Sequence, residues 1–94
     1  NSSAALIESA SFQTPVVNVG TRQRGRLRGT QVIDVLCKRS AIRRAIKRCL
    51  SKEYRASLRG IWNPWGDGKT GPRVAKILEQ LPPRERLLAK QIAY

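Results

Sequence analysis

The 94 residues include 19 Lys and Arg against 6 Asp and Glu, a formal net charge of +13, with 2 cysteines, 5 aromatic residues and no histidine. So short a chain makes at most one domain, and it buries a smaller share of its surface than a domain of about 150 residues. Without histidine a zinc site lacks ligands, and no apolar run reaches the length of a membrane-crossing helix, so the charge leaves nucleic acid as the first class of partner to weigh.

Ser2 and Ser3 stand directly before Ala4 to Ala10, a run of good helix formers with Leu6, Ile7 and Ala10 available for burial, which predicts a serine-capped helix. The unpaired amides and positive dipole end of such a start favour a phosphate. Glu8 lies about a turn and a half further in, too far to close a capping box with Ser3, and its carboxylate can accept hydrogen bonds from sugar hydroxyls. The plain alternative is a helix cap and a solvated glutamate. Pro15 to Val19 then reads as a strand of the parallel-sheet kind, and Gly20 hands it over to a loop carrying Arg22, Arg24, Arg26 and Arg28. Most of these arginines are expected in solvent. Arg22, just beyond the strand's carboxyl end, sits where open α/β sheets bind ligands and can clamp a phosphate or the uracil side of a nucleotide.

Val32 to Leu36 is a β-branched run of strand length, expected to be central and covered on both faces. Asp34 within it is either an edge-facing charge or a residue held by a neighbouring backbone donor. Ser40 is a plausible N-cap for a helix through Leu50, in which Ile42, Ala45, Ile46, Cys49 and Leu50 fall at i, i+3, i+4, i+7 and i+8. Arg43, Arg44, Lys47 and Arg48 take the other side, a solvated basic face or an RNA contact. Cys37 and Cys49 are read as two reduced thiols, the second in the core. A short turn of helix around Tyr54 is expected between Ser51 and Gly60.

Ile61 to Gly71 is dense in turn formers and holds two tryptophans that are costly to leave in water, so it should be an ordered loop. Its Gly66-Asp67-Gly68-Lys69-Thr70 string is no P-loop, because the position five before Gly68 is Asn63 and no strand is apparent ahead of it. Thr70-Gly71-Pro72 opens a helix with Val74, Ile77, Leu78 and Leu81 as its stripe, and Pro82-Pro83 stops it. Arg84 to Tyr94 reads as a final helix with Leu87, Leu88 and Ile92 on one side.

Four pieces in this order, NSSAALIE, FQTPVVNVGTRQRGR, VIDV and NPWGDGKTGPRVAKIL, resemble the C-terminal end of the UDP-N-acetylglucosamine 2-epimerases, particularly the hydrolysing branch. The resemblance implies an α/β fold: the C-terminal portion of a Rossmann-like domain of a GT-B type two-domain enzyme, with parallel strands and flanking helices. Residues 1–81 would belong to that UDP-binding domain and 82–94 to a terminal helix that packs on a missing N-terminal domain. It also implies UDP contacts at Ser2, Ser3, Glu8 and Arg22, no catalytic residue in this stretch, no metal and no cofactor. The catalytic carboxylates and histidine would lie upstream, so the piece alone is expected to be inactive. Where the family usually has glycine, Ala5 stands, and its Cβ lies where backbone would approach phosphate. The absence of any methionine and a first residue already inside the ligand motif accord with a fragment. The expected partners are a UDP-sugar and the N-terminal domain, with self-association left open, nucleic acid and membrane disfavoured, and a cytoplasmic location as the default. The competing readings are a non-hydrolysing epimerase and a small basic RNA-binding module.

Overall fold

The computed structural model describes residues 2–89. Its elements in chain order are α1 (Ser3–Glu8), β1 (Val16–Val19), β2 (Val32–Val35), α2 (Arg39–Leu50), α3 (Lys52–Ser57), α4 (Thr70–Glu79) and α5 (Arg84–Leu88). The strands pair in parallel, with register running from Val16 opposite Val32 to Val19 opposite Val35. Parallel neighbours need a crossover of a dozen or so residues, normally a helix. Here residues 20–31 make it as a succession of turns.

The amphipathic helix α2 lies on both strands and carries α3 against it. Ala45 and Cys49 are buried at its contact side, whereas Ile46 and Leu50 on the flank of the same stripe are exposed. The helix begins at Arg39 with Lys38 as its N-cap, so Ser40 lies inside the first turn and is not the cap. The cause is local: Lys38 N–H closes a tight turn onto Leu36 O at 2.7 Å, and its own carbonyl already accepts from Ile42. At α3, by contrast, Ser51 is a working N-cap, its Oγ accepting from Tyr54 N–H at 3.2 Å, and the Tyr54 hydroxyl donates to Thr30 O at 2.9 Å.

The expectation that β2 is covered on both faces does not hold among the described residues. Val32, Ile33 and Val35 are half-buried and Asp34 is exposed. The small core consists of Leu6, Ala10, Ala45, Cys49 and Leu58, joined by the buried polar residues Ser9, Asn18, Gln23 and Gln31. α4 carries Val74, Ile77 and Leu78 of the expected stripe, Leu81 falling past its end, with Pro72 in its first turn, where a missing N–H leaves no bond unmade. It stops at Glu79, ahead of the paired prolines that disfavour helical backbone in the residue before them. Every residue from Trp65 to Ala89 is exposed, including Val74, Ile77, Leu78 and Leu81. Accordingly the radius of gyration is 19.4 Å, against about 12 Å for a compact chain of this length. α5 covers the first part of the expected terminal helix; residues 90–94 lie outside the described residues.

Cys37 is exposed and Cys49 buried, and burial pushes the Cys49 thiol above its ordinary value against a smaller opposing effect of Arg48. A thiol reagent at neutral pH is therefore expected to modify Cys37 first and Cys49 only as the fold opens. Peptide mapping of a time course checks this; equal rates at the two positions would contradict the packing of α2.

Candidate functional site

The first element of the site is α1. Ser2 is its N-cap in extended conformation, and its Oγ accepts from Ala5 N–H at 3.5 Å. A hydroxyl that accepts in this way keeps its own proton to donate elsewhere. Ser3 is the first helical residue, half-buried, and Glu8 the last, exposed. Beyond Glu8 the chain turns inward through the buried Ser9 and Ala10. Gln31, fully buried at the end of the crossover, donates from Nε2 to Ser9 Oγ at 3.1 Å and Leu6 O at 3.4 Å, pinning the end of α1 to the start of β2.

The second element is the arginine loop. Gly20 N–H extends the parallel ladder onto Val35 O at 2.9 Å, and its φ of +84° turns the chain in a way that suits glycine. Arg22 follows on this turn, exposed beyond the carboxyl end of β1. Arg28 is no solvated charge. Its guanidinium donates to Gln23 O at 2.5 Å and Arg26 O at 3.1 Å and pairs with the Asp34 carboxylate, which also accepts from Asn18 Nδ2 at 2.7 Å. Asp34 is thus an exposed, outward-facing charge, held by side-chain donors. The Asn18, Arg28 and Asp34 cluster, with Thr21 and Arg24, borders a hollow of about 320 Å³ at the strands' carboxyl ends.

The third element is the loop ahead of α4. Asn63 Oδ1 accepts from Trp65 N–H at 3.0 Å, an Asx turn, while its Nδ2 donates to Ser11 Oγ at 2.7 Å and Ile7 O at 3.2 Å. Trp65 in turn donates from Nε1 to Leu27 O at 3.2 Å. The loop is ordered as expected, but burial of both tryptophans is not what orders it: Trp62 is 74% exposed and Trp65 44%. Side-chain hydrogen bonds hold it instead. No strand leads into Gly68, in keeping with the exclusion of a P-loop.

A hollow of about 520 Å³ lies between this loop and α1, lined by Ile7, Glu8, Ser11, Phe12, Asn63, Trp65, Gly66, Gly68 and Thr70. Glu8 is therefore brought against the 63–70 loop. Ser2, Ser3 and Arg22 line neither this hollow nor the one at the strand ends. Asn63, Gln31 and Arg28 are the residues that composition and periodicity missed. Asn63 did carry a signal, since Asn-Pro favours turn initiation; Gln31 carried none. Among the described residues no cluster of metal-ligating side chains occurs and no helix is long and apolar enough to cross a membrane.

Two parallel strands flanked by helices make this chain a small α/β piece, with an arginine past the carboxyl end of β1. The chain belongs to the UDP-N-acetylglucosamine 2-epimerase family, whose profile matches residues 1–79. It is similar over its whole length, at 41% identity, to the hydrolysing UDP-N,N'-diacetylbacillosamine 2-epimerase of Legionella pneumophila, of which it spans 24%. It is 38% identical to polysialic acid biosynthesis protein P7 of Escherichia coli over 69% of this chain and 17% of that protein. With the hydrolysing GDP/UDP-N,N'-diacetylbacillosamine 2-epimerase of Campylobacter jejuni it shares 40% identity over 58% of this chain and 14% of the relative. No solved structure matches.

The turn into α4 is fastened by Asp67, which receives both guanidinium nitrogens of Arg73, at 2.7 and 2.6 Å, and Lys69 N–H at 3.0 Å. The Arg73 hydrogen bonds, then the Lys69 amide, hold the Asp67 carboxyl well below the usual carboxylate range. A depressed folded-state value means that its contribution is complete above the ordinary carboxylate value, about 3.9, and fades as pH falls through the lower folded one. Carboxyl-detected NMR should show Asp67 still ionised at about pH 3, where an ordinary aspartate is mostly protonated. Arg73→Ala should move the titration up toward the ordinary value; an unmoved titration would show that the pair does not hold the turn.

Proposed function

We propose that this chain is the UDP-holding C-terminal part of a hydrolysing 2-epimerase acting on a UDP-linked 2-acetamido sugar, which releases UDP and a free manno-configured sugar. The family match over residues 1–79 carries this reading, because all four candidate contacts, Ser2, Ser3, Glu8 and Arg22, fall within it. The names of the Legionella and Campylobacter relatives favour the hydrolysing outcome. For the substrate, UDP-N-acetylglucosamine yielding N-acetylmannosamine follows from the family, and a diacetylated bacillosamine from those two relatives.

In this reading the Ser2 hydroxyl and Ser3 face the diphosphate, Arg22 offsets its charge from beyond β1, and Glu8 accepts from the ribose hydroxyls. The reaction removes the C2 proton and expels UDP from C1, leaving a 2-acetamidoglucal. Water then adds across the C1–C2 double bond, its oxygen to C1 and a proton to the opposite face of C2. None of the four residues is a base suited to C2, so proton transfer falls to groups upstream. Residues 1–81 close one wall of the nucleotide cleft and 82–94 pack on an N-terminal domain. The bare stripe of α4 supports that arrangement, as an apolar helix face needs a cover.

In the enzyme completed by its upstream region, Arg22→Ala should weaken UDP binding by about 1.5–3 kcal/mol, the scale of a hydrogen bond to a charged group. Calorimetric titration of UDP into both proteins measures it, and equal affinities would remove Arg22 from the site. Incubation with either UDP-sugar should yield free sugar and UDP in equal amounts. Recovery of an epimerised sugar still linked to UDP would instead assign the non-hydrolysing branch.

A further inference from the structure

The proposed function leaves the loop 61–69 without a role, yet its side chains make hydrogen bonds to residues up to 56 positions away. α1 has only six residues, so its last-turn carbonyls have no partners further along the same helix. Ala5 O and Glu8 O accept from Ser9 and Ser11 N–H just past the helix, and the other two are satisfied from further away. Ile7 O, immediately before Glu8, accepts from Asn63 Nδ2, and Leu6 O from Gln31 Nε2. Asn63 spends both N–H groups and its carbonyl in one place: Ile7 O, Ser11 Oγ and Trp65 N–H. One residue pair further, Trp65 Nε1 reaches Leu27 O in the arginine loop. The stretch from Asn63 to Trp65 is thus a strap between the helix that carries Glu8 and the loop that carries Arg22.

We infer that Asn63 is a positioning residue for nucleotide binding: through Ile7 and Ser11 it fixes the end of α1, and hence the direction in which Glu8 meets a ribose, while Trp65 sets the spacing to the arginine loop. The inference rests on the proposed UDP-binding role of Glu8. Its chemistry is specific to the amide. An aspartate at the same position keeps the shape and the acceptor for Trp65, but loses both donors and turns a carboxylate toward the Ile7 carbonyl and the Glu8 end of the helix.

The test compares UDP with 2',3'-dideoxy-UDP in the enzyme completed by its upstream region, because that ratio reads the ribose hydroxyl contact and not general stability. The unaltered enzyme should prefer UDP by about tenfold or more, the scale of one hydrogen bond to a charged group. Glu8→Gln should abolish the preference. Asn63→Asp and Asn63→Ala should shrink it to roughly threefold or less, with KM for the sugar nucleotide raised more than kcat is lowered. Combined with Glu8→Gln, Asn63→Ala should lower the ratio no further. Trp65→Phe, which keeps the ring and deletes the donor to Leu27, should weaken UDP and its dideoxy analogue alike. It also serves if the Asn63 variants do not fold: unaltered affinity for both ligands would then overturn the strap. A full preference in a folded Asn63→Ala enzyme, whatever its melting temperature, overturns the positioning role while leaving the nucleotide site intact. A full preference in Glu8→Gln removes the ribose role of Glu8, and the inference falls with it.

Discussion

The buried amide of Asn18 joins the two strands at the end where ligands would approach. It is 2% exposed, sits opposite Asp34 in the parallel register and donates to that carboxylate, which in turn receives Arg28 from the crossover. The ion pair contributes little to stability, because the Asp34 side chain is half in solvent and such pairs are worth about 0–1 kcal/mol. Leaving the Asn18 donor unmade inside the protein would cost more, about 1–3 kcal/mol. The cluster therefore matters chiefly as geometry. It closes a helix-free crossover onto the sheet and so fixes where the arginine loop stands.

A similar economy governs α1. A six-residue helix is far below the length at which helices persist in water, so its stability must come from tertiary contacts. Leu6 and Ala10 supply the apolar part, and Gln31 and Asn63 supply donors to its end from 25 and 56 residues further along. The helix that starts at the candidate contacts Ser2 and Ser3 is consequently held by two amide side chains at its opposite end. Distances between Glu8, the 63–70 loop and the crossover follow from those bonds and not from secondary-structure preference.

The apolar surface left uncovered is as informative as the core. Ile46 and Leu50 on α2, and Val74, Ile77 and Leu78 on α4, form stripes at helical spacing that the described chain leaves exposed, as it does Leu81 just past α4. The chain spans about a quarter or less of the curated relatives it matches. Both stripes are patterned for burial, and the described residues leave them largely bare.

Residue order alone was sufficient for the elements that rest on local physics. The capped start of α1, the β-branched strands, the 3.6-residue stripe of α2 and the proline stop after α4 all follow from propensity, periodicity and backbone sterics. The family resemblance was likewise carried by motif order, and with it the candidate contacts Ser2, Ser3, Glu8 and Arg22. Exposure could not be read this way. The pattern of β2 promised two covered faces, and the tryptophans of the 61–69 loop promised burial, because apolar composition states what a residue prefers and not whether a partner is present. Nor could the long-range bonds of Gln31 and Asn63 be told from any neighbouring residue: a polar side chain is a solvated group or a strut according to which carbonyl the fold brings within reach, and those carbonyls lie 25 and 56 positions away.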